Sequence, residues 1–210
     1  MQGKRGLAAK KRVWQAVPMR NLLASLLLLL AVSAPAHADG VLDGRLTPTD
    51  KQRLAGFDAT LKEALAEARA GGNPEDVKLL DEALAGDPLP LAEGYDAEGN
   101  WRCRTIKAGG QLPLTVYPWF KCRISDDGAG WKLEKLTGSQ RTTGRFYTLS
   151  AMRLAYLGAG HYNYEEPRAY GVAAEHDQVA IAERRAKNRI ILLFPAPKME
   201  SKLDVLVLER

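Results

Sequence analysis

The segment from Gly99 to Ile124 constrains the fold more than any other part of this 210-residue chain. It contains both cysteines, and from Trp101 onward apolar and polar residues alternate as they do in a half-buried β-strand. Successive side chains of a strand point to opposite faces, so a disulfide between neighbouring strands requires both cysteines on one face. A bridge between Cys103 and Cys122 would therefore fix which residues of a hairpin face the core.

The alternation divides this hairpin into a predicted core face and a predicted outer face. The core face comprises Trp101, Cys103, Thr105, Leu114, Val116, Phe120, Cys122 and Ile124. The outer face comprises Arg102, Arg104, Tyr117, Trp119, Lys121 and Arg123. Arginine over an aromatic ring makes cation–π contacts, so the outer set is a candidate ligand-binding surface for an anionic or aromatic ligand or an acidic partner. Two alternatives stay open: a solvated face whose basic side chains cover the rings, and reversed faces that line a barrel interior with arginine and tryptophan.

After Asn100 the chain consists of short alternating or apolar segments separated by turn residues, a rhythm typical of an antiparallel β-protein. We predict strands at 100–107, 113–124, 130–136, 143–149, 151–158, 178–185, 189–194 and 203–209. About eight strands joined by hairpins would close most economically into an up-and-down barrel, because closure removes exposed edges. The predicted fold class is α+β, with a mostly antiparallel β-barrel at 94–210; a β-sandwich is the alternative.

Residues 39–93 are predicted to form an N-terminal helical hairpin and a linker. Thr47 followed by proline is typical of a helix start, and apolar residues recur at helical spacing up to Gly71. A second helix begins with Asn73 as its cap and ends at Gly86. Helices this short are marginal alone in water, so their apolar stripes must be buried. We expect them to pack on the protein's own sheet, with a membrane or partner surface as the alternative.

The first 38 residues have the layout of a secretory signal peptide. Basic residues precede an apolar run at 22–32, and the pattern Ala36-His37-Ala38 predicts cleavage near Ala38, with Met19 as an alternative start. The apolar run is too short to span a membrane comfortably. We therefore expect a periplasmic or secreted protein with no transmembrane segment in the mature chain.

Removal of this leader changes the charge balance. The leader holds six of the 30 Lys and Arg residues and none of the 25 Asp and Glu residues, which leaves 24 basic and 25 acidic side chains. The basic excess typical of a nucleic-acid-binding protein disappears, so we predict no nucleic-acid partner. Export also favours a structural disulfide between the two cysteines, worth about 3 kcal/mol for a loop of about 20 residues.

Candidate catalytic residues are few. The histidines of the mature chain, His161 and His176, each have acidic neighbours that could complete a set of imidazole and carboxylate metal ligands. Their spacing matches no metal motif, and both lie in a loop with proline and glycine between predicted strands. The sequence has no nucleophile elbow, Cys-x-x-Cys pair, phosphate-binding loop or dinucleotide fingerprint. We predict no catalytic residue, no metal ligand and no cofactor.

The segments WRCRTIK, LTVYPWFKCRI, LTGSQRTTG, MRLAYLG and ESKLDVLVLER resemble an uncharacterised proteobacterial family of exported proteins catalogued only as a domain of unknown function. The resemblance covers about residues 94–210; it implies export and a shared fold but no site residues. The leading hypothesis for function is a non-catalytic binding module for a small molecule, an envelope component or a protein partner. One alternative is a hydrolase or metal-dependent enzyme using His161, His176 and nearby acids, and another is a structural envelope protein.

Overall fold

A closed antiparallel β-barrel forms the main body of the protein. The structure is a computed structural model that describes residue 42 and residues 44–91 and 95–210, so the predicted signal peptide, Met19 and the cleavage position lie outside the described residues. The strands are β1 Gly99–Gly110, β2 Leu114–Val116, β3 Phe120–Asp126, β4 Trp131–Lys135, β5 Gln140–Thr148, β6 Arg153–Tyr162, β7 Asp177–Ala186, β8 Arg189–Pro195 and β9 Ser201–Glu209.

Closure of the barrel depends on β1, which pairs with β3 on one side and with β9 on the other. Every strand from β3 to β9 pairs with the next in chain order, so these seven strands and β1 form the closed sheet. The extra strand β2 pairs with the second half of β1. The predicted barrel is confirmed, and the alternative of a sandwich is wrong.

Three short helices precede the barrel: α1 Pro48–Ala55, α2 Phe57–Gly71 and α3 Pro74–Leu84. Thr47 and Asn73 cap α1 and α3 as predicted, because their side chains accept hydrogen bonds from the amides of Asp50 and Glu75. The first predicted helix is divided at Gly56, which ends α1 and begins α2. Glycine costs about 1 kcal/mol relative to alanine inside a helix, which explains the division. Residues 48–84 thus form three helices and not the two of the predicted hairpin.

The helices cover part of the outer face of the barrel. Buried side chains of α2 and α3, including Ala64, Ala68 and Leu80, form one apolar cluster with outward residues of β1 and β9 such as Ile106 and Val205. The apolar stripes of the helices therefore pack on the protein's own sheet. Within the part of the chain that the structure describes, every helix is too short or too polar to cross a membrane.

Apolar side chains fill the barrel interior at the end where β1 begins, here called the packed end. Its large members are Trp101, Ile124, Leu133, Ile190 and Leu208. The predicted disulfide between Cys103 and Cys122 lies among them, with both residues buried and their Cα atoms 5.8 Å apart. The cysteines thus mark the interior face of β1 and β3, as the alternation predicted.

The predicted faces do not extend to β2. The register between β1 and β2 differs by one residue from that between β1 and β3, so the chain carries one extra residue between β2 and β3. The extra residue lies in Tyr117-Pro118-Trp119, where proline has no amide hydrogen to donate to the ladder. Because one residue reverses the alternation, Leu114 and Val116 face the helices instead of the barrel interior.

Candidate functional site

The two ends of the barrel interior differ in polarity. At the open end, where β1 ends and β9 begins, polar side chains surround two adjacent cavities. The inner chamber has a volume of about 80 Å³, and the outer chamber has a volume of about 330 Å³. Both are lined by Lys107, Gln140, Arg141, Gln178, Phe194 and Asp204. Lys135 and Thr142 line the inner chamber but not the outer chamber.

Strand alternation places two of these polar side chains, Lys135 and Asp204, inside the barrel. Lys135 lies two residues after the buried Leu133 on β4, so the two share the inward face. Asp204 lies two residues before the buried Leu206 on β9 and faces inward for the same reason. The inward residues of a strand therefore change from apolar at the packed end to charged or polar at the open end.

A chain of three hydrogen-bonded side chains lies beneath the inner chamber. Thr142 Oγ1 donates to Gln178 Oε1 at 2.6 Å. A hydroxyl has a single hydrogen, so the Tyr156 hydroxyl must donate to Thr142 Oγ1, also at 2.6 Å. Tyr156 is fully buried, and burial raises the pKa of its hydroxyl well above the usual value. The hydroxyl therefore stays neutral and holds Thr142 in one orientation.

Two glycines make room for the ring of Tyr156. Gly144 on β5 lies opposite Gly158 on β6. A β-carbon on Gly144 would lie 2.6 Å from Tyr156 Cζ, and one on Gly158 would approach the tyrosine hydroxyl even more closely. The lack of both β-carbons lets the ring lie across the strand pair and carry its hydroxyl to the inner chamber.

Lys135 is the cation with the most unusual surroundings. Only 9% of the residue is exposed, its Nζ donates to the Gln140 carbonyl at 2.7 Å, and Nζ lies 4.4 Å from the centroid of the Phe120 ring. Among the described residues no carboxylate forms an ion pair with it. Burial, together with the charges of Lys107 and Arg141, lowers the pKa of Lys135 to about 8. A negative charge in the chamber would raise that pKa again.

Two carboxylates offset part of the positive charge around the chambers. Lys107 forms an ion pair with Glu200, and Asp204 accepts a hydrogen bond from the Ser201 hydroxyl at 2.6 Å. Burial raises the pKa of Asp204 above its usual value, although Ser201 and Lys107 act in the opposite direction. Burial alone would lower the pKa of Lys107, but Glu200 and Asp204 outweigh it and the pKa is raised.

Arg141 adds a third cation. Its Nε donates to the Gly138 carbonyl at 3.1 Å, and no carboxylate of the described chain forms an ion pair with its guanidinium group. The inner chamber is therefore lined by the cations Lys107, Lys135 and Arg141 and by the carboxylate of Asp204, and Glu200 pairs with Lys107. Around this chamber the excess is about one positive charge.

α1 fixes one wall of the outer chamber. Arg53 donates from Nε and Nη2 to the Ala196 carbonyl, at 2.9 and 2.7 Å, and from Nη1 to Asp50 Oδ1 at 2.9 Å. Tyr170, in the loop between β6 and β7, donates its hydroxyl to Asp50 Oδ2 at 2.6 Å. Burial alone would raise the pKa of Asp50, but hydrogen bonds from Tyr170, Arg53 and Thr47 lower it. α1 thereby joins the β6–β7 loop to the β8–β9 turn, and both segments flank the outer chamber.

Both predicted histidines line the outer chamber, beside Glu175 and Asp177. His161 is buried, with Nδ1 3.1 Å from the Tyr162 carbonyl oxygen, and His176 Nε2 lies 3.9 Å from a carboxylate oxygen of Glu175. In residues 44–91 and 95–210, no three His, Cys, Asp or Glu side chains are grouped closely enough to hold a metal ion. The structure brings the two histidines to one cavity without such a ligand set.

The predicted ligand surface on the outer face of β1 and β3 is partly assembled. The guanidinium carbons of Arg102 and Arg104 lie 4.3 and 4.4 Å from the centroid of the Trp119 ring, so the cation–π contacts are present. Arg102 also forms an ion pair with Glu209 at 2.6 Å. A groove of about 260 Å³ between these residues and α3 includes Arg189.

The other residues of the predicted surface lie apart from this cluster. Arg123 forms an ion pair with Glu134 at 3.0 Å, and Lys121 is exposed. Tyr117 lies near the open end, where its ring centroid is 5.9 Å from Lys107 Nζ. The extra residue before β3 separates Tyr117 from the face that it was predicted to share.

The sequence patterns do not single out Lys135, Thr142 and Gln178 as site residues. One sequence signal does point to Lys135. In Trp131-Lys-Leu133-Glu-Lys135 it occupies the third of three alternating positions, the first two of which are apolar, so a charged side chain shares the apolar face of the strand. Taken alone, a lysine at a strand end is typical of a solvated edge. Only closure of the barrel shows that this lysine faces the same space as residues from five other strands.

No curated protein and no solved structure is significantly similar to this chain. A family match extends over residues 43–208 and so includes the three helices as well as almost all of the barrel. The chain is therefore a member of the family described as Domain of unknown function (DUF4893).

Proposed function

We propose that this protein is an exported, non-catalytic binding module that takes a small anionic ligand at the open end of its barrel. The observation that carries the proposal is Lys135, a buried cation that faces the inner chamber without a carboxylate partner among the described residues. Burying an unpaired charge is costly, so such a group is retained where it has a use. An anion in the inner chamber would supply the missing partner.

The surrounding groups fit an anion better than a cation. Arg141 and Lys107 line the same chamber. Tyr156 donates a hydrogen bond to Thr142, which in turn donates to Gln178, so both side chains are fixed. Ligand sites of this kind are concave and largely apolar, with a few fixed polar groups that set orientation. The cationic excess of about one charge around the inner chamber matches a ligand group with one negative charge.

The test measures binding of acetate, inorganic phosphate and sulfate to the full mature chain at low ionic strength, by NMR titration and by thermal shift. We expect at least one of these anions to perturb the amides of β4, β5 and β7. Lys135→Met should weaken that binding at least tenfold, because hydrogen bonds to charged groups are worth about 1.5–3 kcal/mol. Lys121→Met is the matched control, since Lys121 is exposed outside the barrel. Equal binding by Lys135→Met, or perturbations elsewhere, would contradict the proposal.

The proposal includes export, which the predicted leader and the buried disulfide support because disulfides persist in oxidising compartments. The full chain with a C-terminal tag would be expressed in a Gram-negative host and fractionated. We expect a processed form that begins at Asp39 in the periplasm. An unprocessed chain that stays in the cytoplasm would refute export.

An enzymatic function is the second candidate, and the position of both histidines at the outer chamber favours it. A hydrolase would use His161 or His176 with Asp177 on a substrate held by the cations. Purified protein would be assayed with a panel of ester and phosphoester substrates. Hydrolysis that disappears in His161→Ala or His176→Ala, but persists in Lys121→Met, would favour catalysis over binding alone.

The surface formed by Arg102, Arg104 and Trp119 is proposed as a site for an acidic partner. The half-buried Arg104 lies over the Trp119 ring, and its guanidinium group forms no hydrogen bond or ion pair within the described residues. An acidic peptide would be titrated against the native chain and Arg104→Ala, with Arg123→Ala as the control. Loss of binding in Arg104→Ala alone would support this role, and equal binding by all three would remove it.

A further inference from the structure

The two chambers at the open end constrain the shape of the ligand as well as its charge. We infer that the protein binds a small amphipathic carboxylate, whose head lies in the inner chamber and whose apolar body lies in the outer chamber. The inference rests on the proposed function and narrows the class of ligand that the site takes. It is supported by the sizes of the two chambers, by the apolar wall of the outer chamber and by the charge balance around the inner chamber.

The inner chamber limits what can reach Lys135. Its volume of about 80 Å³ equals the share of liquid occupied by two or three water molecules, at about 30 Å³ each. A carboxylate or a similar small group fills that space. Any larger ligand must therefore extend into the outer chamber, which has a volume of about 330 Å³.

The outer chamber has one apolar wall. Phe194, Pro197 and Met199 line it, and 57% of Met199 is exposed although the side chain is large and apolar. Methionine is flexible and polarisable, so it adapts to apolar ligands of different shape. An alkyl or aryl body against this wall would cover an apolar surface that is open to solvent.

The turn that carries this wall is held in a strained conformation. Ala196 and Glu200, which flank Pro197 and Met199, have positive φ values of 44° and 68°. Residues other than glycine rarely adopt such values, and they persist where surrounding contacts hold them. Arg53 supplies such contacts through its two hydrogen bonds to the Ala196 carbonyl. The apolar wall is thereby preformed, which lowers the entropic cost of binding.

The charge balance favours one negative charge on the ligand. Around the inner chamber, the cations are Lys107, Lys135 and Arg141, and the carboxylates are Asp204 and the Glu200 that pairs with Lys107. A monoanion in this chamber neutralises the excess, and a dianion exceeds it. A carboxylate also matches the donors by accepting from Lys135 and Arg141 at once. A monocarboxylate with a short apolar body therefore fits both chambers better than inorganic phosphate or sulfate.

The experiment is a chain-length series of acetate, butanoate, hexanoate and octanoate, with hexanol and hexylammonium as uncharged and cationic controls. Dissociation constants would be measured by NMR titration on the full mature chain. We expect affinity to rise by up to about fourfold for each methylene that is buried, until the outer chamber is filled. Hexanol and hexylammonium should bind at least tenfold more weakly than hexanoate, since neither provides a carboxylate.

Two variants separate the head from the body of the ligand. Met199→Ser should reduce the dependence on chain length and leave acetate affinity unchanged, whereas Met152→Ser, at an exposed methionine between β5 and β6, should change neither. Lys135→Met should weaken every carboxylate. If acetate binds through Lys135 and octanoate binds no tighter, or if phosphate binds best, this inference falls while the proposed anion site stands. If none of the anions binds, the proposed function itself is refuted.

Discussion

The ammonium group of Lys135 lies inside the barrel without a carboxylate partner in the described chain, so its charge destabilises the ligand-free protein. Burial lowers its pKa from 10.5 to about 8, a difference worth about 3 kcal/mol. Below pH 8 the lysine is charged in the folded and the unfolded states, and the full cost is present. Between pH 8 and 10.5 the unfolded state binds more protons, so the stability of the native chain rises with pH.

Comparison of Lys135→Met with the native chain isolates this effect. We expect the variant to be at least as stable as the native chain at pH 7, because the buried charge is removed. The native chain should then gain about 3 kcal/mol relative to the variant as pH rises to 10.5. Urea unfolding at pH 7, 8, 9 and 10 measures the free energy of unfolding of both proteins. Lys107, Arg141 and Asp204 are present in both, so their own titration cancels in the difference. Parallel curves would show that the lysine titrates normally.

Gly158 is needed because the ring of Tyr156 occupies the space of its β-carbon. Gly158→Ala should destabilise the protein by about 1–3 kcal/mol, since the new carbon would overlap the tyrosine hydroxyl and lie 2.7 Å from the Thr143 carbonyl oxygen. Chemical denaturation gives the free energy of unfolding. Gly160→Ala is the matched control on the same strand, because its β-carbon would meet only the flexible side chain of Gln178, at 3.2 Å. Equal losses for the two variants would contradict this account of the Tyr156 pocket.

Among the secondary-structure elements, β1 and β3 are joined both by their ladder and by the disulfide. The two cysteines are 19 positions apart in the sequence. For a loop of this length, the chain-entropy model predicts that the disulfide stabilises the fold by about 3 kcal/mol. We expect the double variant Cys103→Ala/Cys122→Ala to lose about this much stability and to melt at a lower temperature. The native chain should show the same loss of stability and the same lower melting temperature when a reductant is present. An unchanged melting temperature in both would show that the ladder alone holds the two strands.

Most strands could be predicted because turn residues and alternation agree along the β region. The predicted segment 189–194 corresponds to β8, Arg189–Pro195, and the predicted segment 178–185 corresponds to β7, Asp177–Ala186. The segment 113–124 was predicted as one strand but forms β2 and β3. Its interruption at Pro118 shifts the register by one residue, and alternation counted through that point assigns Leu114 to the wrong face.

The chambers could not be predicted because they depend on closure. Lys135 and Thr142 lie on neighbouring strands, but Gln178 and Asp204 come from strands that reach the same space only when β1 pairs with β9. Each residue alone is typical of the solvated face of an antiparallel strand. The outer surface, by contrast, is local to β1 and the segment before β3. The alternation there assigns Arg102 and Trp119 to one face, and the structure has the two side chains in a cation–π contact.

At the scale of the whole molecule, the barrel has a packed end that provides stability and an open end that is polar. Leu80 and Ala64 of the helices are fully buried against the outside of the sheet, so the two parts share an apolar core. Arg53 links α1 to the turn beside the outer chamber. The helices therefore serve both the stability of the barrel and the geometry of its open end.

This arrangement predicts that the barrel does not fold without the helices. Deletion of residues 47–85 would expose the outward apolar residues of β1, β8 and β9, and we expect the shortened chain to lose its cooperative unfolding transition or to aggregate. The single substitution Leu80→Ala tests the same interface without removing the helices, and it should lower the free energy of unfolding by about 2–5 kcal/mol. Leu112→Ala, at a leucine that is 63% exposed, should leave that free energy almost unchanged. Thermal and urea unfolding measure all three proteins. A deleted chain that still unfolds cooperatively with dispersed NMR signals would show that the helices are an appendage, as expected of a structural envelope protein whose helices dock on a partner.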